Sequence, residues 1–463
     1  VTAIASEALE RELKTVLGAD AVLPGASRAY LSDATESRNL KGRADAIALP
    51  TDANQVAETV RWCYEHDVPL IPRGGGTGFT GGAVPLDGGV VLSLERTNKL
   101  RHLDPGLWRA AVEAGMITAD LRRRARENGL FYPPDPGSAE QSQLGGNIAT
   151  NAGGPHAFKY GVTGAWITGL EVVLPPGELV RLGGPIRKDV AGYDLKSLLI
   201  GSEGTLGIVT AAWVKLIPAP EAALPLAAFY ADTETGCAAI ESAFASGVVP
   251  AALEYLDAGA VAATRGAFPA DIPDDAGFMV IADADGSAEE AARVHAELQG
   301  TLADDALFIH APTQTKDINA LWRWRDGASH AVTAQRGGKV SEDIVVPVDR
   351  LSEAITRTVE IGRRHELDTC SWGHAGDGNL HSTFMIDLDQ PAELKRAEEA
   401  AHELFALAVE LNGSITGEHG VGLVKNGQLA HQWAPAAVAV HEAIKQAFDP
   451  KGLLNPGKKL ART

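Results

Sequence analysis

Two short segments near the C-terminus hold residue types that could do chemistry together. The first is Trp372-Gly373-His374-Ala375-Gly376-Asp377-Gly378-Asn379-Leu380-His381, and the second is Gly417-Glu418-His419-Gly420-Val421-Gly422. Asp377-Gly378 between apolar runs is a hairpin-turn signal, and a turn there would fold His374 and His381 toward each other. Glycines on both sides let Glu418 and His419 project from a constrained loop. Two imidazoles plus a carboxylate make a borderline-to-hard donor set, suited to Zn, Mn or Fe(II) with open positions. The bland alternative is that each His is hydrogen-bonded locally and the two segments stay apart. Arg325, in Leu321-Trp322-Arg323-Trp324-Arg325-Asp326, is a candidate for gripping a substrate carboxylate bidentately. It could equally form a surface salt bridge with Asp326 or a neighbour. Trp322 and Trp324 could line a pocket or belong to the core.

Three glycine-rich segments lie upstream. Residues 72–82, PRGGGTGFTGG, follow a strand signal and carry six glycines in nine residues. Gly76, Gly78 and Gly81 satisfy G-x-G-x-x-G, but Pro85 and Gly88-Gly89 follow where a dinucleotide Rossmann site needs a helix. We reject that reading and expect a nest of backbone N–H groups facing an anion. A Walker-like match at 452–459 ends in Lys459 where Ser or Thr is required, and is discarded. The second segment joins the rigid Pro133-Pro134-Asp135-Pro136-Gly137-Ser138 to residues 144–154, LGGNIATNAGG. Its small residues suit a large flat ligand lying on the backbone, or a close helix contact. The third runs through Gly192-Tyr193-Asp194-Leu195 to Gly201–Thr210.

The elements that must position these groups follow from periodicity. A helix is expected over Ser6–Leu17 and a strand over Ala46–Leu49. Next comes a helix capped by Thr51 or Asp52, with Val56, Val60 and Cys63 on one face. Strands are expected at 69–72 and 89–94. After Pro218 and Pro220 the pattern alternates, with strands at 226–230, 252–256, 278–282 and 307–310 and helices at 233–244 and 287–302. Helices near 349–365 and 391–411 flank a strand-turn-strand near 369–387, and the tail from Phe448 to Lys459 reads as loop.

Composition narrows the classes. With 41 basic against 60 acidic residues, the net charge of -19 argues against a nucleic-acid partner. Cys63, Cys237 and Cys370 are dispersed, which fits neither a disulfide framework nor a thiolate metal site. No secretory leader and no apolar run of about 18 residues is read, so a cytoplasmic protein without a transmembrane segment is expected. Peripheral contact with the inner face of a membrane stays open.

Taken together, PRGGGTGFTGG, PPDPGSAEQSQLGGNIATNAGG, KYGVT and AGYDLKSLLIGSEGTLGIVT resemble the FAD-binding domain of the vanillyl-alcohol oxidase / p-cresol methylhydroxylase (PCMH) superfamily. The likeness is greatest to the branch of D-lactate dehydrogenase, the glycolate oxidase FAD subunit and D-2-hydroxyglutarate dehydrogenase, and HAGDGNLH and GEHGVG match that branch's C-terminal motifs. The resemblance implies an α+β fold. A two-subdomain PCMH-type FAD-binding domain would occupy 1–218, an α+β, ferredoxin-like substrate domain 219–412, and a segment returning to the flavin 413–463. It implies that Arg73, Gly74, Gly75, Gly76, Thr77 and Gly78 hold the pyrophosphate. Pro134, Gly137, Ser138, Gly145, Asn147, Thr150, Gly154, Ile208 and Asn455 would line the rest of the FAD site. No His or Cys stands in a tethering motif, so dissociable FAD is expected.

By the same likeness His374, His381 and Glu418 bind a divalent metal, Zn or Mn, His419 is the base, and Asn379 stands near substrate. Arg325 matches the substrate arginine through its W-x-x-R spacing. The expected reaction is oxidation of a D-2-hydroxy acid such as D-lactate or glycolate to the 2-oxo acid. Electrons would pass to a quinone, a cytochrome, an electron-transfer flavoprotein or an iron–sulfur subunit. Lys339 stands out of register with the lysine that binds a distal carboxylate in the hydroxyglutarate branch, which favours a monocarboxylate. The alternatives are D-2-hydroxyglutarate oxidation, or a same-fold flavoenzyme acting on another alcohol or an ether-lipid precursor. A homodimer is the default assembly.

Overall fold

The computed structural model describes residues 6–460. The N-terminal half holds a four-stranded and a five-stranded sheet, besides the short pair Leu130–Phe131 and Ile217–Pro218. In the four-stranded one the order is Val22–Pro24, Ala46–Ala48, Val90–Ser93, Leu70–Arg73. The last two pair in parallel, Leu70 opposite Val90 and Arg73 opposite Ser93, so the glycine loop leaves from a buried strand end. Helix Ala53–Glu65 is anchored by Asp52, whose carboxylate accepts from the N–H groups of Asn54 at 2.9 Å and Gln55 at 3.0 Å. Such a cap contributes about 1 kcal/mol. The helix buries Val56, Val60 and Cys63 on one face, as their spacing requires. No helix follows the glycine loop before strand Val90–Ser93, in line with rejecting the Rossmann reading. A five-stranded antiparallel sheet runs Leu100–Asp104, Arg109–Glu113, Ile208–Lys215, Ile167–Leu174, Glu178–Gly183.

From Ala222 onward a seven-stranded antiparallel sheet forms, ordered Phe308–His310, Ala222–Tyr230, Phe278–Gly286, Ala252–Asp257, Asp368–His374, Asn379–Ile386, Gly338–Val345. Helices cover both faces, with separate apolar clusters around Ile240, Leu298 and Leu404 and around Val261, Leu321 and Trp324. Trp324 is therefore core, and its indole donates to the Thr264 carbonyl at 3.0 Å. The tail returns to the first domain. Leu454 is buried in its core, and Leu70 donates its N–H to the Leu453 carbonyl at 2.8 Å.

Sequence periodicity did not announce helices Thr315–Asp326, Ala328–Arg336 and Pro435–Phe448, nor strand Gly338–Val345. The strand escapes notice because it buries Lys339, Glu342 and Asp343 where an apolar pattern would be sought.

Candidate active site

Hairpin 368–386 does what its Asp-Gly turn foretells. Gly378 adopts φ +66° at the turn, and the His374 and His381 rings come within 5.3 Å, nearly perpendicular. Loop 416–422 then reaches over the sheet. Glu418 Oε1 stands 3.3 Å from His374 Nε2 and 3.5 Å from His381 Nε2, and the donor atoms of all three residues lie within 4.8 Å of one another. The His419 ring sits between Phe79 at 4.7 Å and His381 at 5.2 Å, almost parallel to the latter.

The donor set fits a divalent cation. His374 Nδ1 donates to Glu254 Oε1 at 2.6 Å, which orients Nε2 toward Glu418, the carboxylate–histidine arrangement that supports metal ligands. His381 Nδ1 is buried with no partner among the described residues. Burial, helped by the neighbouring His419 and His374 and opposed by Glu418, pushes His381 down to about 3, toward the neutral form, the one able to bind a cation. At His374 burial acts the same way, but Glu254 and Glu418 outweigh it and hold the pKa well above the ordinary value.

Glu254 is fully buried and also takes Arg325, through Nε at 2.8 Å and through Nη2. Burial would raise its pKa, and the charges of His374 and Arg325 instead lower it to about 2. Arg325 is therefore engaged on one side. Its partner is Glu254 rather than Asp326, two of its donors are spent there, and only its remaining edge can serve a substrate. A lone glutamate in the apolar strand Ala252–Asp257 was the available sequence signal for Glu254, because such charges are buried only when paired.

A cavity of about 940 Å³ joins this cluster to the glycine segments. Arg73, Gly74–Gly78, Gly137, Ser138, Gly145, Asn147, Thr150 and Ile208 line it, as do Arg325, His374, His381, Glu418 and His419. The volume lies within the range of cofactor pockets. Gln143 lines it with a buried Oε1 that has no partner among the described residues, an acceptor waiting for a ligand donor. Gly76, at φ +70°, lies so close over the Arg73 guanidinium that a Cβ would come within 2.1 Å of Nη2. Residues 144–150 form a short helix whose Gly146 Cα would be 3.2 Å from a Cβ on Gly74. Small residues here serve both close packing and an open wall.

Six of the residues singled out in the sequence have defined surroundings. The Arg73 guanidinium donates to the carbonyls of Ser32 at 2.7 Å and Ala29 at 3.0 Å, so it braces the loop from beneath. Pro134 and Gly154 are buried off the cavity, and a Cβ on Gly154 would meet the Asp135 carbonyl at 2.5 Å. The Asn455 amide donates to the carbonyls of Gly82 and Glu203 and ties loops together. The Asn379 amide is consumed by Asp343 Oδ1 at 2.7 Å and the Ile344 carbonyl at 2.8 Å, beneath loop 416–422 rather than on the cavity. Lys339 does line the cavity, its ammonium on Ser329 and 5.2 Å from the centre of the Trp372 ring.

Comparison with known proteins bears on both halves of this cavity. Residues 44–183 match the FAD binding domain, and residues 219–459 match the C-terminal domain of FAD linked oxidases. The chain belongs to the FAD-linked oxidases. Glycolate oxidase subunit GlcD of Bacillus subtilis is 38% identical, covering 94% of this chain and 92% of that protein. D-lactate dehydrogenase of Anaerostipes hadrus is 36% identical over 90% of each chain. D-2-hydroxyglutarate dehydrogenase of Stutzerimonas stutzeri is 33% identical over 98% of this chain and 99% of its own. Among solved structures, p-cresol methylhydroxylase superposes with a TM-score of 0.80 at 19% identity, over 97% of this chain and 96% of that one, which shows the shared fold. This FAD-linked oxidase is thus a flavoenzyme of mixed α and β structure. No helix among the described residues is long and apolar enough to cross a membrane.

Proposed function

We propose that this FAD-linked oxidase oxidises a D-2-hydroxy acid, D-lactate, glycolate or a similar acid, to the 2-oxo acid and passes the electrons to an acceptor other than NAD. The carrying observation is that His374, His381, Glu418 and His419 open onto the same cavity as the glycine segments. Relatives named for glycolate, D-lactate and D-2-hydroxyglutarate support the substrate class. FAD, when bound, supplies the hydride acceptor for C2. A divalent metal, Zn or Mn, held by His374, His381 and Glu418 would supply Lewis acidity at the hydroxyl and carboxylate oxygens.

The protein's own groups do the rest. His419 takes the hydroxyl proton, imidazole being the side chain that titrates near neutrality. Phe79 and His381 clasp its ring and hold that base against the cavity. Arg325 offers its Nη1 edge, which has no hydrogen-bond partner among the described residues, to the substrate carboxylate, while Glu254 fixes its other edge. The three cysteines are buried and none lines the cavity, so no cysteine stands ready to tether the flavin. A second reading, a dicarboxylate such as D-2-hydroxyglutarate, is favoured by Lys339 and His330 on the cavity wall.

The test is an anaerobic titration of the purified protein with D- and L-2-hydroxy acids, mono- and dicarboxylic. Bleaching of the oxidised-flavin band by one D-acid or by glycolate is expected. A flavin that none of them bleaches would overturn the proposed reaction.

A further inference from the structure

We propose that Asp343 and Glu203 are positioning residues of this site: two buried carboxylates, one from each domain, that grip the backbone of residues 416–422 and thereby set where Glu418 and His419 stand. The inference rests on the function proposed above. Asp343 is completely buried on strand Gly338–Val345. Its Oδ2 accepts from Thr416 Oγ1 at 2.7 Å and from three successive backbone N–H groups, Gly417 at 2.8 Å, Glu418 at 3.0 Å and His419 at 3.0 Å. Its Oδ1 accepts from the Asn379 amide at 2.7 Å. From the FAD-binding side, Glu203 accepts from Val421 N–H at 2.8 Å on Oε1 and from Gly422 N–H at 2.7 Å on Oε2. Five backbone donors of one seven-residue loop therefore end on two carboxylates.

This is an anion nest in which the protein supplies the anion. A buried carboxylate is costly unless compensated. The strand does not need this one, because Gly338–Val345 pairs through its backbone with Asn379–Ile386 whatever its side chains. Charge balance comes from Lys425, also buried, whose Nζ stands 3.7 Å from Asp343 Oδ2 and donates to the Asp343 and Ile415 carbonyls. With the N–H groups turned inward, the side chains at 418 and 419 point the other way. One meets His374 and His381, and the other lies over Phe79 of the FAD-binding domain. The fit is close on that side too, since a Cβ on Gly153 would stand 2.6 Å from Glu418 Oε2. The proton acceptor and the carboxylate ligand are thus placed only when both domains hold the loop.

The full FAD-loaded chain is compared as wild type, Asp343→Asn, Glu203→Gln and Thr416→Val. The last removes one donor and leaves the carboxylate in place. Three quantities are read: amide hydrogen exchange across 416–422, Mn²⁺ affinity of the metal-stripped chain by calorimetry, and the rate of flavin bleaching per bound flavin. Asp343→Asn should keep its flavin yet exchange the loop amides faster. It should bind Mn²⁺ about 10–100-fold more weakly, as loss of an outer support does. Bleaching should slow about 100-fold, the effect of a misplaced catalytic group. Glu203→Gln should loosen 421–422, and Thr416→Val should fall between wild type and Asp343→Asn. Unchanged loop exchange, or an unchanged rate per bound flavin in a loosened loop, would overturn the proposal. So would variants that lose flavin and thermal stability together while each bound flavin turns over normally, because that is a merely structural role. Should no hydroxy acid bleach the wild type, the function above fails by itself, and loop exchange with Mn²⁺ affinity still decides the clamp.

Discussion

Replacing Glu254 by Gln tests the electrostatic centre of the site. Its carboxylate carries three charge-assisted contacts, one to His374 Nδ1 and two to the Arg325 guanidinium, with no solvent to replace it. An amide has one oxygen, which can face either His374 or Arg325, and its NH₂ then opposes a donor. With the oxygen toward Arg325 the His374 contact is lost, and with it toward His374 both Arg325 contacts are lost, each worth about 1.5–3 kcal/mol. The buried negative charge that balances Arg325 and His374 is lost in either orientation. That agrees with about 3–5 kcal/mol for breaking a buried ion pair from one side. His374 also loses the partner that fixes its ring, so metal affinity should fall about 10–100-fold. A urea titration followed by tryptophan fluorescence gives the first quantity, and calorimetry with Mn²⁺ on the metal-stripped, FAD-loaded protein gives the second. Destabilisation below about 1 kcal/mol, the size of an ordinary substitution, together with unchanged Mn²⁺ affinity would refute the reasoning.

His419→Asn should retain FAD and lower the rate of flavin bleaching by about 10²–10⁴, the worth of a positioned general base, with stopped-flow absorbance as the assay. Gly76→Ala places a methyl against the Arg73 guanidinium at φ +70°, where an L-residue costs about 1–2 kcal/mol before any clash, and the flavin-to-protein ratio should drop on gel filtration. His156 donates between Asp135 at 2.6 Å and Asp283 at 3.4 Å; burial opposes its charge, but Asp135 and then Asp283 raise its pKa to about 10. A raised pKa stabilises fully below the unfolded value of 6.5 and is lost as pH rises through about 10. Stability should therefore fall across that window by up to about 5 kcal/mol, and His156→Gln should flatten the slope in urea titrations.

Much of this architecture is legible in the residues themselves. Asp52 ahead of Val56, Val60 and Cys63 specifies a capped helix, and Asp377-Gly378 specifies the turn that brings His374 to His381, because both signals are local. Groups whose partners are far along the chain are harder to read. Asp343 acts on a loop more than seventy residues away, and Glu254 lies 120 residues from His374. Strand Gly338–Val345 and helix Thr315–Asp326 hide for a related reason: each spends core positions on charged groups whose compensation is tertiary. Arg73, Asn379 and Asn455 show the same limit from the other side. Each stands in the right segment, yet backbone carbonyls or Asp343 already claim its donors.

The most direct measurement is anaerobic flavin bleaching by the best hydroxy acid before and after metal removal with a chelator, followed by adding back Zn²⁺ or Mn²⁺. The site built by His374, His381 and Glu418 beside His419 predicts that bleaching is lost with the metal while the flavin spectrum persists, and that one divalent cation restores it. Bleaching at full rate in rigorously metal-free protein would contradict that assignment and leave His419 and Arg325 to act alone.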